Sequence, residues 1–206
     1  MISSEASVTL APFGVCPRDA SRVLSRRRAR TRSAAQRLDA QLRPGEIAFV
    51  TGPSGAGKSM LLDALAADLD RNAVLPPPGR SRRALIDWVH PDPCRAMRLL
   101  SRCGLADARD FLTPVDRLSA GQLARARVAR SIGTRRGTTV VVDEFCSVLD
   151  ETTAKTTARC VARAFRATCR TRRLVLASAR WSTIDALRPD LLVYIPLDEE
   201  ASSCRR

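Results

Sequence analysis

Apolar positions fall along this chain in two rhythms. Short unbroken runs rich in branched and aromatic residues predict buried strands at Ile47-Ala48-Phe49-Val50, Thr139-Val140-Val141-Val142, Leu174-Val175-Leu176-Ala177 and Leu191-Leu192-Val193-Tyr194-Ile195, with Ala84-Leu85-Ile86-Asp87-Trp88-Val89 as a further one. Between these runs the apolar residues recur at helical spacing. Met60, Leu61, Leu62, Leu65 and Leu69 predict a helix that stops before Pro76-Pro77-Pro78-Gly79, and Met97, Leu99 and Leu100 one that opens near Pro93 and runs to Gly104. Ser119 reads as the N-cap of an arginine-dotted helix over 120–132, bounded by Gly133 and Gly137. A long helix is expected from about Glu151 to Thr168 and a short one near 183–187. Strands alternating with helices imply an α/β fold with a mostly parallel sheet.

Upstream of this pattern the rhythm is weaker. Residues 6–13 predict an N-terminal strand, and Arg22 to Arg37 carries seven arginines with few large apolar side chains, which reads as a solvated helix or a mobile arm. The expected organisation is therefore 1–41 as strand plus basic arm, 42–198 as the α/β domain with a helical part at about 90–133, and 199–206 as a tail.

Composition narrows this further. A length of 206 residues suits one domain of ordinary size. No window approaches the roughly 18 apolar residues of a membrane span and no secretory leader is apparent, so the expectation is a soluble cytoplasmic protein without an intrinsic membrane segment. The net charge is +14, and all but two of the 35 basic residues are arginine, the exceptions being Lys58 and Lys155. Residues 1–44 carry +6, 45–150 carry +3 and 151–206 carry +5. Such an excess suits nucleic acid or an anionic membrane, and an arginine-biased composition with no polyanionic partner suits it equally. Seven cysteines without a C-x-x-C pair, and one histidine, exclude the usual zinc spacings; Cys94, Cys103, Cys160 and Cys169 read as small buried helix residues.

The chemistry concentrates in three places. Gly52-Pro53-Ser54-Gly55-Ala56-Gly57-Lys58-Ser59 satisfies G-x-x-x-x-G-K-[ST] between a predicted strand and a predicted helix, the context that this phosphate-binding loop requires. Its glycines let consecutive backbone N–H groups and the helix N-terminus face phosphate oxygens, with Met60 completing the set; Lys58 suits the β/γ oxygens and Ser59 a Mg²⁺ ion. Asp143 and Glu144 end the strand at 139–142, where Asp143 suits Mg²⁺ and Glu144 can polarise an attacking water. Ser119, Gly121 and Gln122 open the next candidate anion-binding helix.

The segment Leu118-Ser119-Ala120-Gly121-Gln122 resembles the Leu-Ser-Gly-Gly-Gln signature of the ATP-binding-cassette (ABC) ATPases, P-loop NTPases, and Ser147-Val148-Leu149-Asp150 resembles that family's D-loop. Asp143-Glu144-Phe145-Cys146 and Thr153-Ala154-Lys155 look like a bacterial and phage group of soluble ABC-type ATPases, some fused to acetyltransferase domains. For Lys155 an ordinary solvated helix-face lysine is the simpler reading. The resemblance implies an ABC-type ATPase domain with a small helical subdomain and an antiparallel N-terminal strand. It also implies ATP and Mg²⁺ as cofactors, and a dimer, with itself or a paralogue, in which two nucleotides are sandwiched between facing phosphate loops and signatures.

The chain departs from the family at two positions. No glutamine lies between Lys58 and Leu118, so the Q-loop residue has no direct counterpart, Asp87 being the nearest oxygen-bearing candidate. Ala179 or Arg180 stands where a switch histidine is expected, and Arg180 can neutralise charge on a γ-phosphate. Phe13 is the single aromatic residue before Phe49, which leaves ATP and GTP both open. The expected activity is Mg²⁺-dependent, slow ATP hydrolysis outside a classical transporter, with Glu144, Lys58 and Arg180 as the catalytic set. The alternatives are a nucleotide-dependent dimerisation switch with negligible hydrolysis and the ATP-binding subunit of a transporter. The basic N-terminal arm is the candidate contact to nucleic acid.

Overall fold

The computed structural model describes residues 17–68, 81–133, 139–197 and 202–205. In chain order these form helix α1 (Pro17–Gln41), strand β1 (Ile47–Thr51), helix α2 (Lys58–Asp68), helices α3 (Leu85–Val89), α4 (Pro93–Arg102) and α5 (Ala108–Leu112), a 3-10 turn at Val115–Arg117 and helix α6 (Ala120–Gly133). Strand β2 (Thr139–Val142), helix α7 (Glu151–Thr168), strand β3 (Arg173–Ala177), a 3-10 turn at Trp181–Thr183, helix α8 (Ile184–Leu187) and strands β4 (Leu191–Tyr194) and β5 (Ser202–Arg205) complete them.

The sheet order is β2-β3-β1-β4-β5, with the first four strands parallel and β5 antiparallel to β4. Alternation along each strand separates two cores. Ile47, Phe49, Val140, Leu174 and Leu176 face the layer that contains α3, α4, α6 and α7, where Phe145 and Phe165 are fully enclosed. Ala48, Val50, Val141, Val175, Ala177, Leu191 and Val193 face α1 and α2 on the opposite side. Parallel strands covered on both faces by helices are the arrangement expected of near-continuous apolar runs.

Several expectations need correction. Ala84–Val89 forms no strand: Leu85 and Val89, four residues apart, are both buried while Asp87 between them is exposed, which is the period of a helix. Its one sheet-like feature is an isolated bridge between Ala84 and Pro114. The predicted strand at 6–13 lies outside the described residues. The antiparallel strand among those described is Ser202–Arg205, in the segment read as a tail. The arginine-rich stretch is neither wholly solvated nor an arm at its second half, because Ala34, Ala35 and Leu38 of α1, with Leu42, are buried against α2 and the sheet. Cys103 and Cys169 are buried, but Cys94 is exposed and Cys160 half-buried. Burial pushes the Cys103 thiol up to about 12 and the Cys146 thiol likewise to about 12. Among the described residues no helix is long and apolar enough to cross a membrane.

Candidate nucleotide site

The register β1–β3–β2 aligns Val50 with Ala177 and Val142 with Leu176, so the loops that leave these three strands start side by side at one edge of the sheet. Each loop is fastened at its root. Ser178 N–H donates to Val50 O at 3.0 Å, Phe145 N–H to Ala177 O at 2.8 Å and Ile195 N–H to Thr51 O at 2.8 Å. This is the edge at which open parallel sheets bind ligands.

The loop after β1 holds Gly52, Pro53, Ser54, Gly55, Ala56, Gly57, Lys58 and Ser59, followed by Met60 in the first turn of α2. Gly55 and Gly57 have φ of +79° and +98°, a left-handed backbone in which consecutive N–H groups can converge on an anion. Gly52, at φ of +150°, has a further reason to be glycine: a Cβ there would lie 2.1 Å from the carbonyl oxygen of Ile195. Lys58 Nζ donates to Gly52 O at 2.9 Å and to Pro53 O at 2.7 Å. An ammonium has three protons, so two of them brace the loop and the third is available to a phosphate oxygen. Ser59 is exposed.

Strand β2 delivers Asp143 and Glu144, both exposed, to the same edge. Glu144 adopts φ of +50°, uncommon for a residue with a side chain, and its N–H donates to Asp143 Oδ1 at 2.8 Å. That bond turns the chain sharply at the sheet edge and commits one oxygen of Asp143. A hydroxyl on Ser59 and a carboxylate on Asp143 are hard oxygen donors of the kind Mg²⁺ takes.

The other predicted residues stand in a second group. Ser119 and Gln122 form a reciprocal capping box at the start of α6: Gln122 N–H donates to Ser119 Oγ at 3.2 Å and Ser119 N–H to Gln122 Oε1 at 2.9 Å. Gln122 Nε2 donates to Asp110 Oδ1 at 2.8 Å, so the glutamine side chain is engaged at both ends within its own chain. Gly121 packs on Leu149, where an added Cβ would sit 2.8 Å from Leu149 Cδ2; the signature helix and the 147–150 loop are therefore one packed unit. Asp150 caps α7 through Thr153 N–H at 2.9 Å, and the hydrogen bonds from the Thr153 side chain and backbone hold its carboxyl below the usual range.

Arg180 links the two groups of loops, its Nη2 donating to Ser147 O at 3.3 Å, while the neighbouring Ala179 is exposed. Asp87, on α3 and not at a strand end, is exposed and accepts Arg83 Nη2 through its main-chain carbonyl at 2.9 Å. Lys155 pairs with Glu151 at 2.6 Å one helical turn away, the solvated helix-face role. Sequence reasoning missed Asp110 and Arg125. Arg125 ties α6 to the preceding loop by donating to Gly121 O at 3.1 Å and Gly104 O at 2.7 Å. Neither lies in a motif, and only the fold brings Asp110 within reach of Gln122.

Comparison with known proteins agrees with this geometry. The family model described as Novel STAND NTPase 1, nSTAND1, matches residues 9–199. The chain is 34% identical over 164 residues to an aliphatic sulfonates import ATP-binding protein, SsuB 2, of Paracoccus denitrificans, covering 69% of this chain and 62% of that protein. It is 34% identical over 112 residues to the hemin import ATP-binding protein HmuV of Pseudomonas aeruginosa, covering 53% of this chain and 40% of that one. The chain thus spans less than two thirds of the length of either relative. Among solved structures, the dimeric bacterial ABC transporter cassette MJ0796 superposes with a TM-score of 0.60 at 19% identity, covering 80% of this chain and 87% of that one. The ADP conformation of the cassette MJ1267 gives 0.61 at 14% identity, covering 80% and 82%. These two similarities establish the fold.

Proposed function

The chain belongs to the nSTAND1 family, as an ABC-type ATPase of the P-loop NTPase class, and we propose that it binds ATP with Mg²⁺ and hydrolyses it as a nucleotide-sandwich dimer. The observation that carries this reading is the convergence of the 52–59 loop, the Asp143-Glu144 turn and the 178–180 loop at one edge of the sheet, on adjacent strands β1, β3 and β2. The loop amides and the α2 N-terminus receive the phosphates. Lys58 adds a charge at the β/γ oxygens, and Ser59 with Asp143 would hold Mg²⁺, which when bound neutralises part of the triphosphate charge. Glu144 lies beyond the metal-binding carboxylate on an exposed turn, suited to orient the attacking water and accept its proton. Arg180, which donates to Ser147 O, is one of the two residues at the switch position and can neutralise charge on the γ-phosphate.

In the dimer, Ser119 and Gly121 of one protomer face the γ-phosphate held by its partner. The intramolecular use of Gln122 confines its part to shaping that helix start. We read the protein as acting outside a classical transporter, because the helical segment from α3 to α6 is short and residues 59–117 contain no glutamine. The import names of its relatives make a transporter subunit the alternative, to be told apart by co-purification with a membrane permease.

A second reading, a switch that binds nucleotide without turning it over, is favoured by the absence of a histidine at 179–180. Phosphate release under multiple turnover decides between them. The expected result is measurable release by the wild type and a loss of about 100-fold or more in Glu144→Gln with ATP binding retained. Background release from both proteins identifies the switch.

A further inference from the structure

Residues 155–188 hold nine basic side chains and one acidic one, Asp185. Four of the nine are engaged by the fold: Arg172 donates to Ser131 O and Ile132 O, Arg173 pairs with Asp39, Arg180 donates to Ser147 O and Lys155 pairs with Glu151. Four of the rest line one cleft. Helix α7 buries Ala154, Ala158, Val161 and Phe165, while Arg159, Arg163 and Arg166, at intervals of four and three, form an exposed row along one shoulder of the helix. Arg188, the left-handed cap of α8 at φ of +50°, stands on the other wall of this cleft of about 350 Å³. Asp185, which has contacts of its own, is the one carboxylate in the lining. Arg166 builds the cleft more than it charges it: its guanidinium donates to Leu187 O at 3.4 Å, Arg188 O at 2.5 Å and Asp190 Oδ2 at 3.1 Å, which fastens the end of α8 to α7.

We propose that the cleft of Arg159, Arg163 and Arg188 binds the sugar–phosphate backbone of a nucleic acid. All three residues are exposed. Like charges one helical turn apart repel each other, and α7 has no acid after Glu151 to offset them, so the row costs the helix stability until an anion lies along it. The anion must be extended, because the charges recur at each turn, about 5–6 Å between Cβ atoms, and a strand with one charge per nucleotide can follow such a row. It must also fit between two walls, and a guanidinium fork on each side suits phosphate oxygens. The lining holds no aromatic and no amide side chain to read a base edge, so recognition is of the backbone and not of sequence. The proposal is independent of the nucleotide reading and is tested without ATP.

Fluorescence anisotropy of a labelled DNA duplex with the full chain, over a series of salt concentrations, is the test. In Arg159→Gln/Arg163→Gln/Arg188→Gln the expected result is binding weaker by about tenfold or more and a log–log salt slope shallower by about 2, the loss of two to three phosphate contacts. Arg82→Gln/Arg98→Gln/Arg102→Gln removes the same charge from exposed positions elsewhere and should stay within about threefold of wild type. Arg159→Lys/Arg163→Lys/Arg188→Lys keeps the charge and should keep most of the affinity and the slope. Thermal melting should find the glutamine variant at the cleft no less stable than wild type, since it relieves repulsion. Absence of binding by wild type, an equal loss in the two glutamine variants, or an unchanged salt slope overturns the proposal. So does a lower melting temperature in the cleft variant, which would assign these arginines to the fold. Displacement of the duplex by polyglutamate as readily as by unlabelled duplex, at equal charge, overturns it in favour of an acidic protein segment.

Discussion

At the scale of single residues, the phosphate loop shows that one motif letter can stand for two physical requirements. Gly55 has open space around a built Cβ and needs only its φ of +79°, whereas Gly52 combines a φ of +150° with no room, because Ile195 O would be 2.1 Å away. Substitution by alanine should separate the two. Gly55→Ala is expected to cost about 1–2 kcal/mol, the strain of a side chain in left-handed backbone. Gly52→Ala should cost on the order of 3 kcal/mol, since two backbone segments held together by the Ile195–Thr51 bond must part. Thermal melting followed by circular dichroism checks the order. The letters of the motif were fully legible in the sequence, as were Asp143 and Glu144. The left-handed turn at Glu144 was not, because it depends on the Asp143 side chain closing on the next N–H. Nor was the commitment of Gln122 to Asp110, two residues that the sequence separates by a 3-10 turn and a loop.

At the scale of elements, capping decided which sequence signals were reliable. Ser119 and Asp150 were each followed by a helix starting at the next residue, and each accepts a main-chain N–H of the first turn. Ser119→Ala should lower stability by about 1 kcal/mol in urea unfolding, with the slope unchanged, as the loss of one hydroxyl cap within an otherwise intact fold. A drop near zero would mean that Asp110 and Gln122 hold the helix start without it. The segment Leu85–Val89 misled for a definite reason. Five residues give a single helical repeat, and a short apolar run reads the same in a strand as in a buried helix turn. The deciding fact is tertiary: Leu85 and Val89 fill the core together with residues of α4 and α6.

At the scale of the whole molecule, the sequence divided the chain at residue 41 while the fold does not. Composition marks α1 as basic and poor in large apolar residues, and the positions buried among its described side chains, Ala34, Ala35 and Leu38, are too small to outweigh eight arginines in a periodicity count. They complete a core, however. Leu38 is 2% exposed, so Leu38→Ala should destabilise the domain by about 2–5 kcal/mol in denaturant unfolding; an effect under about 0.5 kcal/mol would mean that α1 is dispensable to it. The far edge of the sheet is fastened differently. Arg205 of β5 bridges Glu46 at 3.0 Å and also donates to Gln41 O, and Ser203 Oγ donates to Gln41 Oε1 at 2.9 Å. Burial raises the Glu46 carboxyl, but the Arg43 N–H and Arg205 outweigh it and keep the group below its ordinary value. Residues 41–46 lead straight into β1 and so to the phosphate loop. The nucleotide site is thus mounted on a strand whose entry is held by a charged clasp, and dissolved ions weaken a clasp of this kind while leaving an apolar core intact. Ionic strength becomes a dial on the suspension of the site, separate from the solidity of the body that carries it.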